Sequence, residues 1–306
     1  MQLDLITNLQ TRFSLSSEQI ENVKTLSIQA LIAKQKTVKT PKLIIIGGQE
    51  GSFKHELQKI ALKENANNAL VLSKDELRKY HPNYVEIQAQ YPDMLRLFTD
   101  DLANTLLSNL EDKAIERQIN VVLKASLGDA EKIAEKINRF RTNQFEVSLN
   151  ILSLQKMFSY LNCEETYEQI LAEGKSAINL SKQHHDKNFE AIELTLQKLK
   201  RKDLLDNVDV YKVKIQENDG IFDSKIVPLT KDKNKFVEAY LQERTRDFTD
   251  IELTYLKAKA QSVLNMKTKR EANFLEKVRF DANFKLILEG KGMNGLRKEK
   301  VVKMEG

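Results

Sequence analysis

The chain has 306 residues, with 49 Lys and Arg against 44 Asp and Glu, one cysteine and no tryptophan. This length suffices for one large domain, and the composition excludes collagen-like, mucin-like and wholly disordered proteins. A single cysteine, Cys163, excludes a disulfide scaffold and a zinc site built from several cysteines. The longest apolar run, residues 43–46, is too short to span a membrane, and the N-terminus lacks the pattern of a secretion signal. We therefore expect a cytoplasmic protein.

The basic excess is confined to the C-terminal quarter of the chain. Residues 229–306 carry 18 Lys and Arg against 12 Asp and Glu, whereas the rest of the chain carries 31 against 32. A diffuse positive charge mixed with acidic residues is typical of a solvated helical surface rather than of a nucleic-acid-binding surface. We therefore expect neither a nucleic-acid nor a membrane partner.

The first two-thirds of the chain alternate predicted helices and strands. Ser16 and Gln19 fit a capping box at the start of a helix over 16–35. A similar pair, Ser73 and Glu76, is expected to cap a later helix. Strands are predicted at 42–46, 69–72, 119–123, 145–152 and 208–213, with a turn at 218–220. Helices are predicted at about 53–63, 94–117 and 129–141, and further helices follow the fourth strand as far as about residue 202.

This alternation predicts an α/β fold in three layers, with a parallel sheet between two layers of helices. From residue 231 onward the pattern is helical and polar with an aromatic stripe, which predicts two or three helices that either pack on the body or project from it. Residues 286–306 are expected to fray. We predict three segments: an N-terminal helical segment over 1–40, an α/β domain over 41–228, and a basic helical extension over 229–306.

A glycine-rich turn follows the first predicted strand. The segment Gly47-Gly48-Gln49-Glu50-Gly51-Ser52-Phe53-Lys54-His55 has the layout of a phosphate-binding loop, or P-loop. In such a loop, backbone N–H groups surround the phosphates, the lysine reaches the outer phosphates, and the next residue offers magnesium a hydroxyl. The predicted nucleotide-binding residues are therefore Gly48, Gln49, Gly51, Ser52, Lys54 and His55.

Three residues of this loop depart from a working P-loop. Phe53 stands where the second signature glycine belongs, and His55 stands where magnesium requires a hydroxyl oxygen. Glu50 places a negative charge beside the phosphate position, a repulsion of about 1–4 kcal/mol per charge pair at 4 Å. The sequence leaves two alternatives open: a loop that binds ATP and magnesium, and a tight strand-to-helix turn without a ligand.

Several segments of the chain resemble the zeta toxin family. Residues 15–57 match its N-terminal part, residues 75–84 (Asp-Glu-Leu-Arg-Lys-Tyr-His-Pro-Asn-Tyr) look like its D-x-F-[RK]-x-x-H-P-x-[YF] segment, and residues 159–161 and 181–186 resemble the stretches flanking its lid. The resemblance covers about residues 15–225. It implies a P-loop kinase that phosphorylates UDP-N-acetylglucosamine with ATP and is neutralised by a small antitoxin protein. It further implies that Asp75 is the catalytic base, beside Lys54, and that Lys124 and Ser126 occupy substrate-binding positions.

The same comparison exposes losses among the reactive residues. Lys124 stands where the family has a glutamate, and Thr166 and Ile178 stand where it has lid arginines. No arginine occurs from residue 142 to residue 200. Loss of an arginine that stabilises the transferred phosphate costs about 10³–10⁵ in rate.

Three function classes follow from this pattern. The first is a diverged, catalytically impaired member that acts by binding a protein or a nucleotide sugar. The second is an active kinase of UDP-N-acetylglucosamine or a related nucleotide sugar, for which Lys54 and Asp75 are retained. The third is a helical adaptor that uses the basic C-terminal extension. No metal site is expected: His184 and His185 point to different sides of a helix and are interpreted as an exposed face, and Cys163 as a packed or surface thiol.

Overall fold

The computed structural model describes residues 2–290. The long helices are α1 (Gln2–Phe13), α2 (Ser17–Leu31), α3 (Lys54–Glu64), α6 (Leu95–Glu116), α7 (Ala130–Thr142), α8 (Lys156–Ala172), α9 (Lys182–Arg201), α10 (Phe236–Thr245), α11 (Asp250–Lys269) and α12 (Phe274–Leu288). Two short helices, α4 (Lys74–Arg78) and α5 (Tyr84–Gln90), and a 3₁₀ turn (Pro92–Met94) lie between the second strand and α6. The tail predicted to fray is helical as far as Leu288, and residues 291–306 lie outside the described part of the chain.

Six strands form one sheet in the order β2-β3-β1-β4-β5-β6. The first five strands are parallel, which confirms the predicted α/β fold. They are β1 (Lys42–Gly47), β2 (Leu70–Ser73), β3 (Val121–Ala125), β4 (Glu146–Ser153) and β5 (Asn207–Asn218).

The sixth strand, β6 (Ile221–Thr230), runs antiparallel to β5 and was not predicted from the sequence. The predicted turn at 218–220 joins the two strands. Asp219 and Gly220 both have positive φ angles, 52° and 77°, as the tight turns favoured in two-residue hairpins require.

Strand β1 is buried and apolar on both faces, as its continuous hydrophobic run predicts. Leu43 and Ile45 face one core, which is covered by α2, α6, α7, α9 and α10, whereas Ile44 and Ile46 face a second core, covered by α3, α8, α11 and α12. Because the first five strands are parallel, their carboxyl ends meet at one edge of the sheet, where ligands bind in folds of this kind.

The C-terminal helices pack on the body rather than project from it. Helix α11 contacts α8 and β5, and α12 contacts α11. The interface includes a buried charge cluster, in which Nζ of Lys267 lies 2.9 Å from Glu164 and 2.8 Å from Glu168. Arg270 also binds Glu168, at 2.6 Å. The packing makes α11 and α12 part of the second core, while the division into three segments stays a prediction.

The predicted helix caps differ in outcome. Ser16 and Gln19 form the capping box, with hydrogen bonds of 2.9 and 3.2 Å, which confirms that prediction. Ser73 occupies the N-cap position of α4, as predicted, but it does not form the capping box. Ser73 is the last residue of β2, it is buried, and its side chain makes no capping hydrogen bond to α4.

Helix α1 rests on the segment that follows β2. Leu9 and Phe13 of α1 form a small separate core with Ile87 and Leu95. The buried His81 fixes this contact because its Nε2 lies 3.2 Å from the Phe13 carbonyl oxygen, while its Nδ1 accepts a hydrogen bond from the N–H of Asn83. The described helices include none with the length and apolar character needed to cross a membrane.

Candidate phosphate loop and the adjoining cavity

The P-loop segment connects the end of β1 to the first turn of α3. Gly48 and Gly51 have positive φ angles of 147° and 74°, which glycine adopts without a steric cost. Phe53, immediately before α3, also has a left-handed backbone (φ 54°, ψ 32°). For a residue with a side chain, that conformation costs about 1–2 kcal/mol. The backbone of the loop thus keeps a conformation suited to glycine at a position where the chain has phenylalanine.

The lysine of the loop is engaged by the loop itself. Nζ of Lys54 donates hydrogen bonds of 2.8 Å to the carbonyl oxygens of Gly48 and Gln49. The hydroxyl of the buried Ser52 donates to the same Gln49 carbonyl at 2.6 Å. Burial lowers the pKa of Lys54, although Glu50 and Asp75 act in the opposite direction.

Glu50 joins the loop to helix α9. Its two carboxylate oxygens lie 3.3 and 3.2 Å from Nδ2 of Asn188, whose amide also contacts His184 at 3.0 Å. Burial disfavours the carboxylate form of Glu50, but the Lys54 ammonium and the Asn188 amide outweigh it and lower its pKa. A fixed negative charge therefore lies close to the ammonium group of the loop.

Helix α8 packs directly against the loop at Gly51. Nδ2 of Asn162 donates to the Gly51 carbonyl at 2.8 Å. A Cβ atom at Gly51 would collide with the backbone carbonyl of Ser159 and approach Sγ of Cys163 to 3.0 Å. The position therefore needs a glycine for packing as well as for its φ angle.

Two predicted site residues lie close enough to Lys54 to affect its charge. Asp75, in the first turn of α4, favours the ammonium form, whereas Lys124, at the end of β3, disfavours it. The Asp75 side chain is 79% exposed and pairs with Arg78, which is buried and also binds Asp100 at 2.6 Å. Lys124 is paired with Ile46 of β1 and with Ser73 of β2, so the loop, α4 and Lys124 lie at the carboxyl edge of the sheet, and their grouping into one site stays a prediction.

The remaining predicted residues lie at the margins of this site. Ser126 is exposed, and a Cβ built at Gly128 would lie 3.7 Å from its Oγ and 3.6 Å from Oδ1 of Asn188. His55 is exposed on α3. The side chain of Gln49 is fully buried, and neither atom of its amide has a hydrogen-bond partner among the described residues.

A cavity of about 530 Å³ opens beside Glu50 and Gly51. Its walls come from α5, the start of α6, one side of α8, and the segment 176–181 that leads into α9. Gly51 is the single predicted site residue among its lining residues; Lys54 and Asp75 are not among them. The cavity has the size of a small-molecule site and adjoins the loop without including its lysine.

The two positions matched to lid arginines, Thr166 and Ile178, both line this cavity. Thr166 donates its hydroxyl hydrogen bond to its own helix, at the carbonyl of Asn162. Within the described residues, the only arginine that lines the cavity is Arg96, on α6. Sequence reasoning missed Arg96, since nothing in its surroundings distinguishes it from other polar residues of an amphipathic helix.

The interpretation of the two neighbouring histidines was half correct. His184 is exposed, but His185 is fully buried, which corrects the expectation of an exposed face. Nε2 of His185 lies 2.9 Å from Oγ of Ser159, and burial lowers its pKa. Cys163 is a half-buried thiol whose pKa burial raises to about 12. The described residues include no cluster of three or more metal-ligating side chains.

A family model described as "Zeta toxin" matches residues 28–240, which include the loop, the Asp75 segment and the cavity walls. The chain belongs to the zeta toxin family. Its relatives include Toxin PezT of Streptococcus pneumoniae, 24% identical over 65% of this chain and 78% of the relative, and Toxin zeta of Streptococcus pyogenes, 22% identical over 64% and 69%.

Solved structures show the same fold. A structure from the PezAT chromosomal toxin–antitoxin system of Streptococcus pneumoniae is 19% identical, covers 82% of this chain and 97% of its own, and has a TM-score of 0.69. A structure of AvrRxo1-ORF1:AvrRxo1-ORF2 with sulphate ions is more distant, with 11% identity, coverage of 90% and 83%, and a TM-score of 0.51. The fold of this zeta toxin family member is thus kinase-like, with a six-stranded, mostly parallel sheet.

Proposed function

We propose that this chain is a zeta toxin family member that does not carry out magnesium-dependent phosphoryl transfer and acts by binding. The ligand is a nucleotide sugar of the UDP-N-acetylglucosamine class in the cavity beside Gly51, or a protein partner. The cytoplasm, predicted from the sequence, is part of this proposal.

The observation that carries the proposal is the charge balance at Lys54. Its ammonium group already has two carbonyl acceptors at 2.8 Å and a neighbouring carboxylate, that of Glu50. A phosphate approaching Lys54 would have to displace those carbonyls and lie beside a like charge. This arrangement supports a loop in which the lysine stabilises the loop backbone and does not bind a triphosphate.

The residues present do not fit a magnesium–ATP complex. Magnesium prefers oxygen ligands in near-octahedral geometry, and the position that supplies the hydroxyl in a P-loop holds the imidazole of His55. The only hydroxyl in the loop, that of Ser52, is buried and donates to Gln49.

The cavity beside Gly51 supports a binding role for the chain. Its lining combines apolar side chains with the polar groups of Gln88, Asn179 and the exposed Arg96, a mixture typical of sites for small polar ligands. A protein partner is supported by the likeness to a structure from a toxin–antitoxin system. An antitoxin-like protein is therefore the partner we propose.

The test is calorimetric titration of the full chain with magnesium–ATP and, separately, with UDP-N-acetylglucosamine. We expect no heat of binding from magnesium–ATP and a measurable one from the nucleotide sugar. The control is the triple variant Glu50→Ala, Phe53→Gly, His55→Thr, which removes the carboxylate beside Lys54, restores the glycine and hydroxyl of a P-loop, and should gain magnesium-dependent ATP binding. Magnesium-dependent binding of ATP by the unaltered chain would overturn the proposal.

The second candidate is an active kinase, favoured by the placement of Asp75 close enough to Lys54 to affect its charge. A positioned carboxylate beside a phosphate-binding lysine can accept the proton of an attacking hydroxyl. This candidate predicts transfer of labelled phosphate from ATP to the nucleotide sugar, with loss of transfer in Asp75→Asn and Lys54→Ala.

A further inference from the structure

Two central strands carry polar side chains where a parallel sheet is normally apolar. Ser148 and Asn150 lie on β4, and Asn207 and Asp209 lie on β5. The register pairs Ser148 with Asn207 and Asn150 with Asp209, and residues two apart share a face. The four side chains therefore form one polar patch that extends from the amino ends of the strands to Asn150, which is level with Ile46 of β1.

This patch lines a cavity of about 330 Å³. The end of α3 contributes Glu64 and Asn65 to its wall, and Lys42 and Lys231 complete it from the start of β1 and the end of β6. The volume is at the lower end of the range for small-molecule sites. The cavity therefore has space for a ligand of a few heavy atoms up to a single sugar ring.

Asn150 is the unusual member of the cavity wall. Its side chain is 3% exposed, and its Nδ2 has no hydrogen-bond acceptor among the described residues. A buried amide without a partner reduces stability, since it has lost its water without gaining a bond. A ligand atom in the cavity that accepts a hydrogen bond from Nδ2 of Asn150 would satisfy this amide.

The charged side chains that line the cavity are balanced, with Lys42 and Lys231 against Glu64 and Asp209. Nζ of Lys231 lies 3.0 Å from Asp209, and Nζ of Lys42 lies 3.8 Å from Glu146, just outside the cavity. A charged ligand would disturb these pairs and leave one charge without a partner. A hydroxyl group can donate to the carboxylate of Asp209 and accept from Nδ2 of Asn150 without adding charge.

We propose that this cavity binds a small neutral polyhydroxylated molecule, a sugar or polyol the size of a pentose or hexose. Adjacent hydroxyl groups bridge Asn150 and Asp209, and the Ser148 hydroxyl is a further partner. The site is separate from the phosphate loop and does not depend on the function proposed above.

The test is an NMR titration of the isotope-labelled full chain with D-ribose, D-glucose and myo-inositol in turn. We expect the Asn150 side-chain amide signal to shift and saturate with at least one of them. Asn150→Leu and Asp209→Asn should each weaken that binding by about tenfold or more. The matched control is Asn109→Leu, since Asn109 on α6 likewise has one buried amide atom without a partner, its Oδ1, but lies outside the cavity.

The stability of the ligand-free protein gives a second readout. If the amide is kept for a ligand, Asn150→Leu should raise the melting temperature, since it removes an unsatisfied polar group. A fall in melting temperature together with unchanged sugar binding would overturn the proposal, as would the absence of a saturable shift with all three compounds. If Asn150→Leu does not fold, Ser148→Ala at the half-buried neighbouring position takes its place, with loss of binding expected.

Discussion

The carboxylate of Glu50 accepts hydrogen bonds of 3.3 and 3.2 Å from Nδ2 of Asn188, and so ties the phosphate loop to helix α9. In a loop that holds phosphates, the approach to the lysine is kept free of negative charge. Here an internal carboxylate is fixed there by a residue that is 138 positions away in the chain. The loop and the helix therefore hold one another in a defined arrangement through side chains of the chain itself.

Removing this carboxylate should make the loop more receptive to anions. We expect Glu50→Ala to raise the affinity for inorganic pyrophosphate by about fivefold or more, since it removes a repulsion of about 1 kcal/mol or greater. Calorimetry of the full chain measures the change. Glu217→Ala, which removes an exposed glutamate from the β5–β6 hairpin, is the matched control and should leave the affinity unaltered. Equal affinities for both variants would contradict the role given to Glu50.

Phe53 offers a test of backbone strain. Both Phe53→Gly and Phe53→Ala lose the edge-to-face contact with Phe158, whose ring centroid lies 6.2 Å away. Glycine adopts the left-handed conformation freely and alanine does not, so the glycine variant should be more stable by about 1 kcal/mol. Urea unfolding compares the two variants. At His55, inside α3, the same pair of substitutions should show the opposite order, with alanine more stable.

Two buried histidines should make the protein sensitive to mild acid. Burial lowers the pKa of both His81 and His185, so the unfolded chain takes up protons that the folded chain resists. Stability is therefore fully present above the ordinary histidine pKa and is lost as the pH falls below it, by up to about 1.4 kcal/mol per pH unit for each histidine. Urea unfolding at pH 7.5 and 5.5, values spanning about one unit either side of that pKa, measures the loss.

The histidine variants supply the controls for this pH dependence. His185→Asn and His81→Asn should each flatten the profile between the two pH values, because the titrating group is gone. The exposed His55 is the matched control, and His55→Asn should leave the profile as it is. An unchanged slope in both buried-site variants would show that other groups cause the acid sensitivity.

The ion cluster at Lys267 should be a strong point of attachment for the C-terminal helices. Lys267→Met leaves the carboxylates of Glu164 and Glu168 buried with less compensation, at a cost of about 3–5 kcal/mol. Adding Glu164→Gln to that variant should restore part of the stability. Chemical unfolding measures all three proteins, with the exposed Lys285→Met as a control expected to stay within about 0.5 kcal/mol of the parent.

The sequence predicted the parts of the fold that local pattern determines. The apolar run of β1, the capping box at Ser16 and the Asn-Asp-Gly turn are each specified by a few neighbouring residues. Strand β6 escaped prediction because it is an edge strand, largely exposed, and has no continuous apolar run. Its pairing depends on β5 rather than on its own pattern.

The site was predicted where the chain is continuous and missed where distant segments meet. The loop and its lysine were predicted from one short motif, and Asp75 and Lys124 from the resemblance to the zeta toxin family; that they act as one site stays a prediction. The contacts of Glu50 with Asn188, of Gly51 with α8, and of Arg96 with the cavity join residues more than 40 positions apart. No spacing rule in a single sequence reports such contacts.

The closeness of Gly51 to the Ser159 carbonyl has a consequence for reading related sequences. Any larger residue at position 51 would push α8 away from the sheet, whether or not a phosphate ever enters the loop. Selection for a folded protein alone would therefore preserve this glycine, whatever the loop does in catalysis. Among relatives, the residues aligned with Phe53 and His55, rather than the glycines, would separate chains that handle nucleotides from chains that retain only the framework.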